Sequence, residues 1–185
     1  MVEFKGTKSS WGLVAKLFHW SLALLLFWQV ATGISLHNME FSPVKMGFII
    51  THKFFGTIIF SLVVLRLMWK YIFNNHPKYE NIPLFHRLVS NLVHFTLYGL
   101  VIFIPIQGTY MTWLEGGDVY LLGLIKIPSM IEENFILYPL ALNIHYYSAL
   151  ILTALFSLHI LAALYHRFII KDKYGVWKRM VFKRY

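Results

Sequence analysis

Cysteine is absent from the 185 residues. Its absence excludes disulfides, iron–sulfur clusters and any metal held by thiolates. Charge is also scarce. Asp, Glu, Lys and Arg make up 14% of the chain, where a soluble domain carries about a quarter. Only eight residues are acidic, and none of them falls in a long apolar stretch. No internal repeat, low-complexity tract or cleavable signal-peptide pattern is present; the apolar segment after the polar start MVEFKGTKSS is of full spanning length.

What is present is apolar. Hydrophobic residues are 58% of the sequence, gathered into four stretches near 13–34, 46–69, 88–111 and 137–165. Each exceeds the roughly 20 residues needed to cross a hydrocarbon layer as a helix. The expectation is an all-α membrane protein: one domain over residues 1–185, built as a bundle of four transmembrane helices. Pro105 removes a backbone hydrogen bond from the third span and predicts a kink there.

A net charge of +9 would suit a nucleic-acid binder, but its placement suits a membrane protein better. Lysine and arginine concentrate at the N-terminus, between residues 70 and 87, and after Tyr165. The other two connections, 35–45 and 111–139, carry Glu40, Glu115, Asp118, Glu132 and Glu133 against two lysines. The positive-inside rule then puts both termini in the cytoplasm. The tail RFIIKDKYGVWKRMVFKRY mixes cations with aromatics, as segments that bind anionic lipid headgroups do. The piece VYLLGLIKIPSM is too short to span and is expected in the outer interface.

Histidine carries the functional signal. An ionisable side chain in a membrane helix is costly and marks a functional site by default. His145 and His159 stand fourteen residues apart, close to four helical turns. Both rings therefore leave one face of the fourth helix, about 21 Å apart along its axis. Depth then groups the others. His52 lies roughly 10 Å below the outer boundary and His145 roughly 12 Å. His159 lies about 10 Å above the inner boundary, with His19 within several ångström of that level. His52 and His145 can meet at the outer level, and His19 and His159 at the inner. Two such pairs are what two stacked b-type haems require, since neutral imidazole is a common axial ligand of haem iron. A lone membrane histidine is usually a hydrogen-bonded packing residue, but four at two matching depths form a pattern.

Depth alone does not make the pairing unique. His94, on the third helix, also lies at the inner level and competes with His19 as partner of His159. It suits a haem propionate or a quinone oxygen equally well. His166 sits at the inner interface, either near a quinone headgroup or simply solvated. Arg66, fourteen residues after His52, needs an anion or must snorkel; a haem propionate would serve. Lys53 can do the same at the outer level. His37, His76 and His86 fall in or near connections and read as solvated.

These residues resemble those of the bacterial cytochrome b561 family. The matching pieces are FHW (18–20), HKFFGTIIFSLVVLRLMWK (52–70), the P…H…LYGLVIFIPIQG pattern (83–108) and IHYYSALILTALFSLHILAALYHRFIIKDKYGVWKRM (144–180). The resemblance extends to the cytochrome subunits of hydrogenases and formate dehydrogenases. It implies a four-helix bundle of the inner membrane with two haems, His19 and His159 binding one iron and His52 and His145 the other. It also implies exchange of electrons with ubiquinone or another quinone, near His166. Some members are similar to superoxide oxidases, which pass an electron from superoxide to ubiquinone. The chain departs from the family at Asn91 and Arg167, where a further histidine is common. Its acidic outer connections disfavour an anionic substrate, although Lys53 and Lys126 offer a local positive funnel.

Three functions are expected on these grounds. The first is a dihaem cytochrome linking the leaflets to a quinone, including the superoxide:ubiquinone oxidoreductase variant. The second is the membrane subunit of a periplasmic hydrogenase or dehydrogenase. The third, from another class, is a haem-free transporter lined by histidines. The lack of acidic residues within the spans disfavours the third, because cation pathways usually use them.

Overall fold

The computed structural model describes residues 4–73, 77 and 82–182. Four helices dominate it: α1 (Leu13–Asn38), α2 (Pro43–Met68), α3 (Leu84–Leu114) and α4 (Tyr138–Leu164). Each is long and apolar enough to cross a membrane, and the chain is a multi-pass membrane protein. The choice of helix is dictated by the solvent: in hydrocarbon a segment must satisfy its own backbone, and an α-helix does. The helices continue a few residues past most of the apolar stretches. Hydropathy measures only the hydrocarbon crossing, while the helix persists into the headgroup layer.

Local chemistry sets several ends. α2 starts at Pro43, whose missing N–H is harmless in a first turn, and Ser42 Oγ accepts the Lys45 N–H at 3.2 Å. Asn134 Oδ1 accepts the N–H groups of Ile136 and Leu137, both at 3.0 Å, just before α4. α3 runs unbroken across Pro105. At their far ends α2 and α4 both loosen into a π-helical turn, Trp69–Phe73 and Tyr165–Ile169.

The connection between α3 and α4 forms a small antiparallel hairpin, β1 (Val119–Leu121) with β2 (Ile125–Ile127). Its turn holds Leu122 at φ 53° and Gly123 at φ 72°, the sign that tight hairpin turns require. Gly123 also lies against Phe54, where a β-carbon would meet ring atom Cε2 at 3.0 Å. The Leu122 N–H donates to Thr57 Oγ1 at 3.1 Å. The piece expected in the outer interface is thus pinned to α2, with Leu124 at its tip 84% exposed.

The buried core is a thin layer at mid-bundle: Leu22, Ile59, Val63, Val101 and Leu152, drawn from all four helices. Outward-facing residues such as Leu24, Phe27 and Leu161 are exposed, as lipid-facing side chains should be. Lipid is as apolar as the core, so packing rather than expulsion of water holds such helices together.

The N-terminal and C-terminal segments meet at one end of the bundle. The Trp11 N–H donates to the Arg179 carbonyl at 3.3 Å, and Trp20 Nε1–H to the Met180 carbonyl at 3.0 Å. Asp172 is buried and accepts the N–H groups of Trp177 and Lys178 at 2.9 and 3.0 Å. These bonds hold the turn in which Lys171 and Asp172 adopt φ of 50° and 53°. The opposite end carries the α1–α2 connection; outer denotes that end and inner the end of the termini.

Candidate functional site

At the outer level α2 and α4 bring His52 and His145 together, with ring centres 6.3 Å apart and planes at 73°. Each ring is held from behind. Thr32 Oγ1, from α1, lies 3.2 Å from His52 Nδ1 and 3.0 Å from the Gln29 carbonyl. Gln29 Nε2 donates to the His52 carbonyl at 2.9 Å. Across the bundle, Gln107 Oε1 on α3 lies 2.9 Å from His145 Nδ1, and Gln107 Nε2 donates to the Ala141 carbonyl. Thr32 and Gln107 are both buried. Gly108 leaves room for the His145 ring, whose Cε1 would lie 3.1 Å from a β-carbon there.

At the inner level His19 and His159 face each other with centres 6.2 Å apart and planes at 74°. His94 lies nearer still, 5.2 Å from His159, and its Nδ1–H donates to the Ser90 carbonyl at 2.6 Å. Arg66 Nη1 donates to His19 Nδ1 and Arg66 Nε to the Tyr98 hydroxyl, both at 3.0 Å. The guanidinium also sits 5.6 Å from the Tyr98 ring centre. A cavity lies between these groups, lined by His19, Arg66, His94, Tyr98 and His159 with apolar neighbours. The core layer of Ile59, Val101 and Leu152 lies between the two levels, because each of these residues is about seven positions from its helix's outer- and inner-level polar groups.

The remaining residues sort themselves by contact. Lys53 is not free at the outer level: Nζ pairs with Glu115 Oε1 at 3.0 Å. Lys126 pairs with Asp118 at 2.9 Å, and that hydrogen bond raises the ammonium above its ordinary pKa. His37 stacks on Tyr146 at 4.3 Å, exposed at the outer end. His166 packs edge-on against Tyr174 at 6.2 Å, and Tyr174 against His86 at 6.3 Å, forming an inner-end cluster. His166 Nδ1 has no hydrogen-bond partner among the described residues. His76 lies outside the described residues.

Gln29, Thr32, Ser90, Tyr98 and Gln107 are not evident as site residues from the sequence. A signal existed for the two glutamines, since a buried amide is costly unless paired. Their partners, however, lie on other helices or on backbone carbonyls.

The donor set suits one kind of group. Two facing imidazole nitrogens about 2 Å from a shared metal, each about 1 Å from its ring centre, put the centres about 6 Å apart. Two donors are too few for a bare ion such as zinc, which takes about four. No cluster of three or more metal-binding side chains is arranged for an ion among the described residues. A tetrapyrrole brings its four equatorial nitrogens and needs only two axial partners. A four-helix membrane bundle with imidazoles paired across it defines the class of membrane b-type cytochromes, which bind haem and transfer electrons.

The comparison with known proteins narrows the class. The chain belongs to the prokaryotic cytochrome b561 family, which it matches over residues 10–183. It is 24% identical to cytochrome b561 homolog 2 of Escherichia coli strain K12, covering 98% of this chain and 96% of that one.

Proposed function

We propose that the chain is a dihaem cytochrome of the bacterial inner membrane that moves electrons between the leaflets and exchanges them with a quinone. One observation carries this reading: four histidines on three helices stand as two facing pairs, with ring centres 6.3 and 6.2 Å apart. His52 and His145 would hold the outer iron, and His19 and His159 the inner. The His94–His159 separation of 5.2 Å is too short for a metal between them, which favours His19 as the inner partner. The positive-inside rule places both termini in the cytoplasm.

When bound, each haem supplies a reversible one-electron couple. The chain's own residues do the rest. The four histidines would hold the two irons. The apolar layer between the levels excludes water and keeps the two sites separate. Arg66, anchored by Tyr98, offers a cation for a propionate at the inner level. His166, with Tyr174 and His86 beside it, offers polar groups for a quinone headgroup at the inner end.

The electron donor admits two readings. In the superoxide:ubiquinone reading, an anion must be drawn to the outer face. Two of the lysines at that end, Lys53 and Lys126, are neutralised by carboxylates, while Lys45 Nζ donates to the Met39 carbonyl at 2.6 Å. This observation favours the other reading, a membrane subunit that takes electrons from a periplasmic hydrogenase or dehydrogenase. The haem-free transporter is disfavoured by spans that hold no acidic residue.

Absorption spectroscopy of the detergent-purified protein tests the proposal. Soret and α bands with two haems per chain, reduced by a quinol, are expected. A colourless protein would overturn it.

A further inference from the structure

We infer that Thr32 and Gln107 are positioning residues of the outer site: each locks one imidazole in the tautomer that presents Nε2 to a metal. The inference rests on the dihaem reading and goes beyond it. A ligating histidine usually donates its other ring N–H to an oxygen, which fixes ring orientation and strengthens the ligand.

The hydrogen-bond chains leave each ring one role. Gln107 Nε2 donates to the Ala141 carbonyl, so the amide is turned with Oε1 towards His145 Nδ1 at 2.9 Å. An amide oxygen only accepts. His145 Nδ1 therefore carries the proton, and the Nε2 lone pair is free. Thr32 reaches the same result through a hydroxyl. Its single proton goes to the Gln29 carbonyl at 3.0 Å, leaving Oγ1 to accept from His52 Nδ1 at 3.2 Å. His52 Nε2 is then free as well. Two imidazoles on different helices are so prepared, each by an oxygen from a third or fourth helix. Both oxygens belong to buried residues, 3% and 7% exposed, where water does not compete for the bond.

The inner level is built differently. Arg66, which can only donate, faces His19 Nδ1 at 3.0 Å, so the His19 proton sits on Nε2 in this arrangement and the ring would ligate through Nε2 only with Arg66 turned away. The outer ligands are supported by neutral acceptors, while the inner one meets a cation. Changes at Thr32 or Gln107 should therefore alter one site and spare the other.

The test uses the purified holoprotein, with redox titration of the α band and low-spin electron paramagnetic resonance. Gln107→Glu replaces the neutral acceptor with an anionic one and should lower one midpoint potential. Gln107→Leu should raise the same midpoint and loosen that haem about ten- to hundred-fold in a competition assay with an apoprotein haem acceptor. Thr32→Val should act on the same haem, and Thr32→Ser, which keeps the hydroxyl, should restore it. The affected haem should be the one that His145→Ala removes. If Gln107→Glu, Gln107→Leu and Thr32→Val all keep both haems with unchanged midpoints and g-values, the inference is overturned. Movement of the inner midpoint instead would overturn it too. Where Gln107→Leu cannot be folded, Gln107→Glu and the Thr32 pair decide alone. Failure of the underlying reading looks different: the wild-type chain would hold fewer than two haems, or His145→Ala would keep both.

Discussion

His52 and His145 stand on different helices, yet their ring centres lie 6.3 Å apart and their planes cross at 73°. A second pair, His19 and His159, repeats the relationship at the inner level with almost the same numbers. Substituting either member of a pair should remove one haem of two. His52→Ala and His145→Ala should give one spectral phenotype, and His19→Ala and His159→Ala the other. Pyridine haemochrome content per chain checks this, and a mixed grouping would refute the pairing.

His94 is the control. It is closest to His159 but bonded through Nδ1–H to the backbone of its own helix. His94→Ala should keep both haems. Loss of a haem in that variant, with retention in His19→Ala, would exchange the roles of the two histidines.

Arg66 places a cation 3.0 Å from His19. A nearby positive charge stabilises the reduced, less positive iron. Arg66→Leu should therefore lower the inner midpoint by tens of millivolts, where about 59 mV is a tenfold change for one electron. Arg66→Lys keeps the charge without the planar fork and should fall between. Potentiometry measures both.

Glu115 neutralises Lys53 at 3.0 Å. Glu115→Gln frees that cation at the outer face. If superoxide is the donor, its reduction of the haem should speed up a few-fold and become more sensitive to salt, because exposed charges are screened beyond about 10 Å at 0.1 M. Stopped-flow kinetics at two ionic strengths reads this. An unchanged rate would favour delivery of electrons by a protein partner.

Leu152 belongs to the layer that separates the two levels. Leu152→Ala opens a cavity there and should cost about 2–5 kcal/mol of stability. Thermal unfolding in detergent should show the loss, with both haems still bound at low temperature.

Much of the fold is legible in the sequence, for a local reason. Spanning segments are runs of apolar residues, and hydropathy finds them to within a few residues of α1 to α4. Helical rise is constant, so the depths of His19, His52, His94, His145 and His159 come from counting. The hairpin at Val119–Ile127 is not legible, because three-residue strands carry almost no periodic signal. The helix α3 is continuous across Pro105, the position at which the sequence predicts a lost hydrogen bond and a kink. That proline removes one hydrogen bond, and the packed neighbours of a membrane helix tolerate the loss.

Taken by itself, then, the sequence determined how many times the chain crosses the membrane and at what depth each imidazole lies, since both depend only on neighbours along the helix. Rotation of one helix against another is a matter of packing, and only the tertiary structure decided the contacts that depend on it. Gln107 backs His145, Thr32 backs His52, Glu115 quenches Lys53, and His94 crowds His159. Each of these contacts joins residues far apart in the chain, and no counting along a single helix could have joined them.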